Sequence, residues 1–384
     1  MKVIIVSPFP FPGNTIHGGV EAVTVNLLKG LSNFPEVKVR VLAFYHNERL
    51  THAAADNITI EYYKRKYNSR KLDILFYARH ILRKEADTWQ PDIIHIEGNG
   101  TSMLYYNKDY CKRMIITPHG VLNEEKKYSM NMNTYMNYMI AGLFERWFSK
   151  KFINYIFISE YIRKVFSHLD FSKINYRMIF NPLDDAFFCC PSISTSNSQF
   201  YFVGRLSIRK GIKDLVEAIR LDANNHKHSR FFLIGGFDTV SFEREIKNKI
   251  EANNLQDIII LEGWKSSEEV RSLSKKCCCL ILPSHQETLP ISVAEAMASG
   301  KIVIATQVGG IPEMIEEGKT GFLFEPGNTS QLASLIVKVS MMEKDEIAAM
   351  QFRAYERAKE MFDPKSVAAK TIDFYQDVCK FAKL

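Results

Sequence analysis

No stretch of this 384-residue chain approaches the roughly 20 consecutive apolar residues that a bilayer-spanning helix needs, so a transmembrane protein is not expected. The short apolar run in Met1-Lys2-Val3-Ile4-Ile5-Val6-Ser7-Pro8 lacks a small-residue cleavage site and reads as a first strand rather than a signal peptide. Cysteine is sparse and odd in number at seven, with five in Cys189-Cys190 and Cys277-Cys278-Cys279. Adjacent cysteines match neither zinc spacing nor a disulfide framework, so reduced, partly buried thiols in a cytoplasmic protein are expected. Gly-x-Gly-x-x-Gly is missing after the first strand, which counts against an NAD(P) site. No recognised nucleic-acid motif is present. No carboxylate nucleophile with a separated acid partner stands out, which counts against a glycosidase.

What is present is ordinary for a globular protein: 46% hydrophobic and 24% charged residues, in a length that suits two domains. The net charge of +7 is unevenly spread. Residues 1–180 hold 25 Lys+Arg against 16 Asp+Glu, and the rest of the chain is slightly acidic. Between 61 and 84 lie Lys64, Arg65, Lys66, Arg70, Lys71, Arg79, Arg83 and Lys84, interleaved with Tyr62, Tyr63, Tyr67, Phe76 and Tyr77. Such a surface suits anionic lipid headgroups, at about 1 kcal/mol per well-placed cation. The plainer reading is a solvated helix face with its aromatics in the core.

Short apolar runs alternate with helical patterns, as in parallel α/β layers. Strands are expected at Val3–Ser7, Val37–Phe44, Ile93–Ile96, Met114–Thr117 and Tyr155–Ser159, with helices at Val20–Leu31 and Lys126–Phe152. Pro182 restricts Asn181 and marks a boundary. After the Ser/Asn/Thr-rich stretch Ser192–Ser198 the pattern restarts with strands at Phe200–Val203, Arg230–Ile234, Ile258–Leu261, Cys279–Leu282 and Ile302–Ala305. A helix is expected at Ile212–Leu221, and a last one from Pro364 to Lys383. The expected architecture is therefore two doubly wound parallel sheets, over residues 1–182 and 183–363, followed by a terminal helix over 364–384.

In Glu287-Thr288-Leu289-Pro290-Ile291-Ser292-Val293-Ala294-Glu295 a loop carboxylate is followed by a second one on the helix that the loop opens. Free backbone N–H groups at a helix start suit an anionic or hydroxyl-rich ligand, and carboxylates accept from adjacent sugar hydroxyls. Upstream, Val203-Gly204-Arg205-Leu206-Ser207-Ile208-Arg209-Lys210-Gly211 offers cations at a strand end. Arg205 and Lys210 suit a diphosphate, one bidentate and one a point charge, while Arg209 is expected to face solvent. The two motifs together resemble the retaining glycosyltransferases of the GT-B fold, in particular family four, and the resemblance runs nearly end to end.

That resemblance implies a nucleotide-diphosphate sugar as donor, a saccharide or lipid-linked acceptor, and no metal or other cofactor. It implies that Glu295 binds the ribose and Glu287 the transferred hexose, with the backbone amides of Thr288 and Leu289 assisting. Pro290, where family members often carry glycine, has no N–H to donate. Gly263-Trp264 occupies the segment that lies along the nucleobase in the family, and His119 matches the family's histidine near the hexose. Gly18-Gly19 would lie near the donor phosphate, where glycine lets backbone approach a ligand closely. Glu97, at a strand end, is a candidate for the acceptor. Ser159 matches a position near the acceptor but serves equally well as a helix N-cap. The family is associated with front-face displacement, surface polysaccharide or glycolipid assembly, and the inner face of the membrane. A sugar-nucleotide epimerase and a non-catalytic subunit of the same fold are the alternatives. All four of Arg205, Lys210, Glu287 and Glu295 being present counts against both.

Overall fold

The computed structural model describes residues 1–14, 16, 18–45, 49–98, 100–120, 132–188, 197–222 and 229–382. Cys189-Cys190, Ser192–Ser196 of the expected connector and Lys126–Asn131 of the expected helix lie outside them. The chain forms two units, Met1–Leu183 with Phe362–Leu384, and Asp184–Met361.

Unit 1 holds β1 (Lys2–Val6), α1 (Gly19–Leu31), β2 (Lys38–Tyr45), β3 (Leu50–Ala55) and β4 (Ile58–Lys64). Then come α2 (Arg79–Trp89), β5 (Ile93–Gly98), β6 (Met114–Pro118), α3 (Met132–Ser149), β7 (Asn154–Phe157), α4 (Glu160–Val165) and β8 (Asn175–Met178). The sheet order is β3-β4-β2-β1-β5-β6-β7-β8. Among the described strands of this sheet only β3 runs antiparallel, and it forms an exposed edge. β5 is buried along its whole length, as expected for a central parallel strand covered on both faces. α1 buries Val23, Leu27, Leu28 and Leu31, three and four residues apart, so one stripe faces the core.

The last helix, α11 (Pro364–Ala382), belongs to this unit and packs on α1. A Cβ on Gly30 would lie 2.2 Å from the Pro364 carbonyl oxygen, so the two helices meet at a point only glycine allows. Val367, Ala368, Ile372, Phe374, Tyr375 and Val378 join the core formed by β1, β2 and β4. Each large apolar side chain buried there contributes about 1.5–3 kcal/mol.

Unit 2 holds β9 (Gln199–Val203), α5 (Ile212–Leu221), β10 (Arg230–Ile234), α6 (Val240–Ala252), β11 (Ile259–Gly263), α7 (Ser267–Ser274) and β12 (Cys279–Leu282). It continues with α8 (Ile291–Ala298), β13 (Ile302–Thr306), β14 (Phe322–Phe324), α9 (Thr329–Met341) and α10 (Lys344–Phe362). Its all-parallel sheet has the order β11-β10-β9-β12-β13-β14. Cys277, Cys278 and Cys279 are buried and free, and burial pushes the first two thiols up to about 12, so they stay protonated.

In each sheet the strand order reverses once, between β1 and β5 and between β9 and β12. Loops leaving adjacent strands at such a point diverge to opposite faces and leave a crevice beyond the strand ends, where ligands of open parallel sheets bind.

Candidate functional site

At the switch point of unit 2, three close backbone approaches shape the loops. Gly235 sits against the Gly204 carbonyl, Gly211 against that of Pro283, and Gly309 against that of Glu287. A Cβ on any of the three would fall 1.9 Å from the carbonyl oxygen, and all three glycines have positive φ. The loop from Pro283 to Pro290 is thus gripped on two sides, by the start of α5 and by the turn after β13. Hydrogen bonds from His285 N to Arg209 O and from Gly310 N to Thr288 O fix it further, at 2.8 Å each.

That grip brings Lys210 and Glu287 together. The Lys210 ammonium lies 2.5 Å from Glu287 Oε1, and Ser284 Oγ donates to the same oxygen at 2.6 Å. Both side chains are largely enclosed, at 14% and 7% exposure, so their charges are weakly screened. Arg205 differs: its side chain is 75% exposed, and among the described residues its ion-pair partner is Asp238, at 3.4 Å. Arg209 does not face solvent as expected. It is half-buried and donates through Nη1 to the Gln286 carbonyl, because its loop is pressed against the Glu287 loop.

Leu289 and Pro290 are buried and Thr288 is half-buried. Pro290 is the N-cap of α8 and no side chain caps that helix; Val293 N donates to the Pro290 carbonyl at 3.2 Å. Glu295, partly buried on α8, has its carboxyl pushed up to about 8. Burial is the main cause and the Asp184 carboxylate adds to it, while Arg271 acts the other way. Gly263 ends β11 in the left-handed region (φ 68°), and Trp264 follows with its indole 63% exposed.

Unit 1 has a second cluster at the ends of β5 and β6. His119 Nε2 lies 2.5 Å from Glu97 Oε2, and His95 Nε2 lies 3.3 Å from the other oxygen of the same carboxylate. His95 also bonds Thr117 Oγ1 at 2.7 Å and, through Nδ1, the Tyr375 hydroxyl at 2.6 Å. Burial would raise the Glu97 carboxyl, but the two imidazoles and the His119 hydrogen bond outweigh it and hold the group below its usual range. Burial pushes His95 down, which favours its neutral form, and its partners select the tautomer. Sequence reasoning missed His95, although it stands two residues from Glu97 on one strand and so shares its face. It also missed Tyr375, for which the sequence carries no signal.

Ser159 is buried and its hydroxyl accepts from Ile162 N at 3.2 Å, as the N-cap of α4. The helix-cap alternative therefore describes its position. Gly18 is the N-cap of α1, with no side-chain cap and ordinary extended backbone (φ −161°). A Cβ there would meet nothing within 4 Å, so the fold does not itself require this glycine. The 61–84 segment is divided between the end of β4, a loop and a helical stretch. Tyr62 and Tyr63 are buried, Phe76 is exposed, and Arg79 donates to the Tyr106 carbonyl. Among the described residues no group of three His, Cys, Asp or Glu side chains is arranged to hold a metal ion, and no helix is long and apolar enough to cross a membrane.

Residues 17–187 match the family description Glycosyltransferase Family 4, and residues 191–360 match Glycosyl transferases group 1. The putative colanic acid biosynthesis glycosyltransferase WcaL of Salmonella typhimurium is 29% identical over 182 residues, 46% of this chain and 44% of that protein. The amylovoran biosynthesis glycosyltransferase AmsK of Erwinia amylovora is 30% identical over 151 residues, 38% of this chain and 36% of that protein. The chain thus spans less than half the length of these curated relatives. Among solved structures, sucrose-phosphate synthase from Thermosynechococcus elongatus superposes with a TM-score of 0.78 over 100% of both chains, at 18% identity. Anabaena HepE in complex with UDP superposes with a TM-score of 0.72 at 17% identity, over 98% of this chain and 100% of that one. Two adjoining family matches and two Rossmann-like sheets lead to one conclusion: the chain belongs to the family 4, group 1 glycosyltransferases and has their GT-B fold.

Proposed function

We propose that the chain transfers a hexose, with retention, from a nucleotide-diphosphate sugar to a hydroxyl of a saccharide or lipid-linked acceptor. The observation that carries this reading is the Lys210–Glu287 pair at the switch point of unit 2, with the exposed Arg205 guanidinium on the same β9 loop. Lys210 and Arg205 take the diphosphate. As the bond between C1 and the phosphate oxygen breaks, charge builds on the departing diphosphate, and fixed cations stabilise that state more than the ground state. No metal is needed in this reading. The acceptor oxygen bonds to C1 on the same face, and its proton passes to the departing phosphate. Glu287 and the amides of Thr288 and Leu289 orient the hexose, Glu295 holds the ribose, and Trp264 lies along the base. The family resemblance assigns Gly18 and Gly19 to the donor phosphate and His119, hydrogen-bonded to Glu97, to the hexose.

HepE has been solved with UDP and with UDP-glucose, which supports a nucleotide-diphosphate donor. The names of WcaL and AmsK support a role in surface polysaccharide assembly. Work at the inner face of the membrane is supported by α3, which exposes Met132, Met136, Ile140, Leu143, Phe144 and Trp147 along one side, with Arg146 and Lys150 exposed beside them. The helical turn Gly100–Tyr105 packs against both α3 and the Ile74–Ala78 turn of the basic segment, so the two adjoin.

The test is thermal stabilisation by UDP, GDP, ADP and their sugars. A ligand at a hundredfold excess over Kd stabilises by about 2.7 kcal/mol. A shift with one nucleotide, lost in Lys210→Ala and Arg205→Ala, is expected. No shift with any nucleotide overturns the reading.

A further inference from the structure

A cavity of about 270 Å³ in unit 1 is lined by Glu21, Asp73 and Glu97 and by Arg65 and Arg70. It lies at the ends of β1 and β5, the switch point of that sheet, and reaches the end of β2. Its volume is near the lower end of the roughly 300–1,000 Å³ of ligand clefts, which suits one sugar with a charged substituent.

The charges in this cavity are unevenly satisfied. Asp73 Oδ1 accepts from the backbone N–H groups of Lys66 and Tyr67, at 2.8 and 3.1 Å. Glu97 is shared by two imidazoles, and Glu21 accepts from the Tyr45 hydroxyl at 3.0 Å. The guanidinium groups have far less. Arg65 gives Nε to the Phe44 carbonyl at 3.2 Å, and Arg70 reaches Ser102 Oγ at 3.5 Å. Neither forms an ion pair among the described residues. A guanidinium carries five N–H donors in a rigid fork, so most of the donors of this pair are unused. Both groups are half-buried, and burial pushes Arg70 below the usual arginine range, so leaving those donors idle has a cost. Neutral hydroxyls are well served by carboxylates and amides. Two forks at one switch point instead match an oxyanion, which takes two parallel N–H bonds from each.

We propose that this cavity binds an oxyanion carried by the acceptor, either the carboxylate of an acidic sugar or the phosphate of a lipid-linked carrier, with Arg65 and Arg70 as its ligands. That the anion belongs to an acceptor rests on the transferase reading above; anion binding itself does not.

The experiment measures thermal stability of the full chain titrated with glucuronate, inorganic phosphate or glucose, at ionic strength held constant with chloride. Glucuronate or phosphate, and not glucose, is expected to raise the transition of the native protein. The apparent affinity is expected to fall at least tenfold in Arg65→Gln/Arg70→Gln, while the shift given by UDP stays unchanged. A response to glucuronate alone assigns an acidic sugar, and one to phosphate alone assigns a phosphate carrier. No anion response, or an equal one in the double variant, overturns the proposal. Should the Gln variant lack a cooperative transition, Arg65→Lys/Arg70→Lys keeps the charge and removes the fork; unchanged anion affinity there overturns it equally. Loss of the UDP response in the native protein would instead overturn the donor reading and leave the anion result standing.

Discussion

The ammonium of Lys210 and the carboxylate of Glu287 lie 2.5 Å apart, so the cation assigned to the donor phosphate and the carboxylate assigned to the donor hexose neutralise each other. A pair so enclosed is stabilising only while both partners are present. Lys210→Ala is expected to destabilise unit 2 by about 3 kcal/mol, because it strands a buried charge. Lys210→Ala with Glu287→Gln is expected to recover most of that loss. Both variants should lose transfer by about a hundredfold or more. Urea denaturation beside a transfer assay checks this. Equal instability in the single and double variants would show that the ion pair is not what holds the loop.

Glu295 gives a pH dependence of known sign. Burial pushes its carboxyl up to about 8 from an ordinary value near 4.5, so the folded protein keeps a proton that the unfolded chain has lost. Stability from this group therefore falls as pH rises from about 4.5 to 8. Glu295→Gln should raise the melting temperature more at pH 8 than at pH 5, by about 2–4 °C for each kcal/mol recovered. The same variant should weaken nucleotide binding. Equal melting shifts at the two pH values would refute the ionisation argument.

Two glycines should respond in opposite ways. Gly18→Ala places a methyl group in open space on extended backbone, so stability should change by less than about 0.5 kcal/mol while transfer falls. Gly309→Ala meets both a positive φ and the Glu287 carbonyl, so it should destabilise by about 1–3 kcal/mol and displace Glu287. Melting curves and single-turnover rates separate the two cases.

The Tyr375 hydroxyl fixes His95, which shares Glu97 with His119. Tyr375→Phe should cost about 1–2 kcal/mol by leaving a buried imidazole nitrogen unsatisfied. Glu97→Gln removes the charge that steadies His119, and kcat should fall with donor KM little changed. A larger change in donor KM than in kcat would count against this arrangement.

Replacing Leu143, Phe144 and Trp147 together by Ser should abolish sedimentation with vesicles rich in anionic lipid and leave the melting temperature nearly unchanged, since all three are exposed. Undiminished sedimentation would move the membrane contact elsewhere.

The central strands were legible in the sequence because β1 and β13 are buried on both faces and read as near-continuous apolar runs. β4 was hidden. Its alternation in Ile58–Lys64 runs straight into the basic segment, and the charges drew the eye from the strand. At the site, the chemistry of Lys210 and Glu287 was readable from residue types, but their pairing was not. It depends on Gly211 and Gly309 closing two loops from different parts of the chain on one carbonyl-lined turn. The inward-facing Arg65 and Arg70 were likewise indistinguishable from the surface cations around them, since only the tertiary structure turns them toward the cavity.

The return of α11 to the first sheet has a consequence for biosynthesis. The apolar cluster around β1, β2 and β4 draws Val367, Ala368, Ile372, Phe374, Tyr375 and Val378 from the other end of the chain. Although a nascent chain emerges from its N-terminus, this cluster stays open until the second sheet and α11 have been made. The first unit is begun before the second and completed after it. Through that interval an incompletely covered apolar face, where α11 will lie on α1, is exposed to solvent, which makes it the surface most open to misassembly.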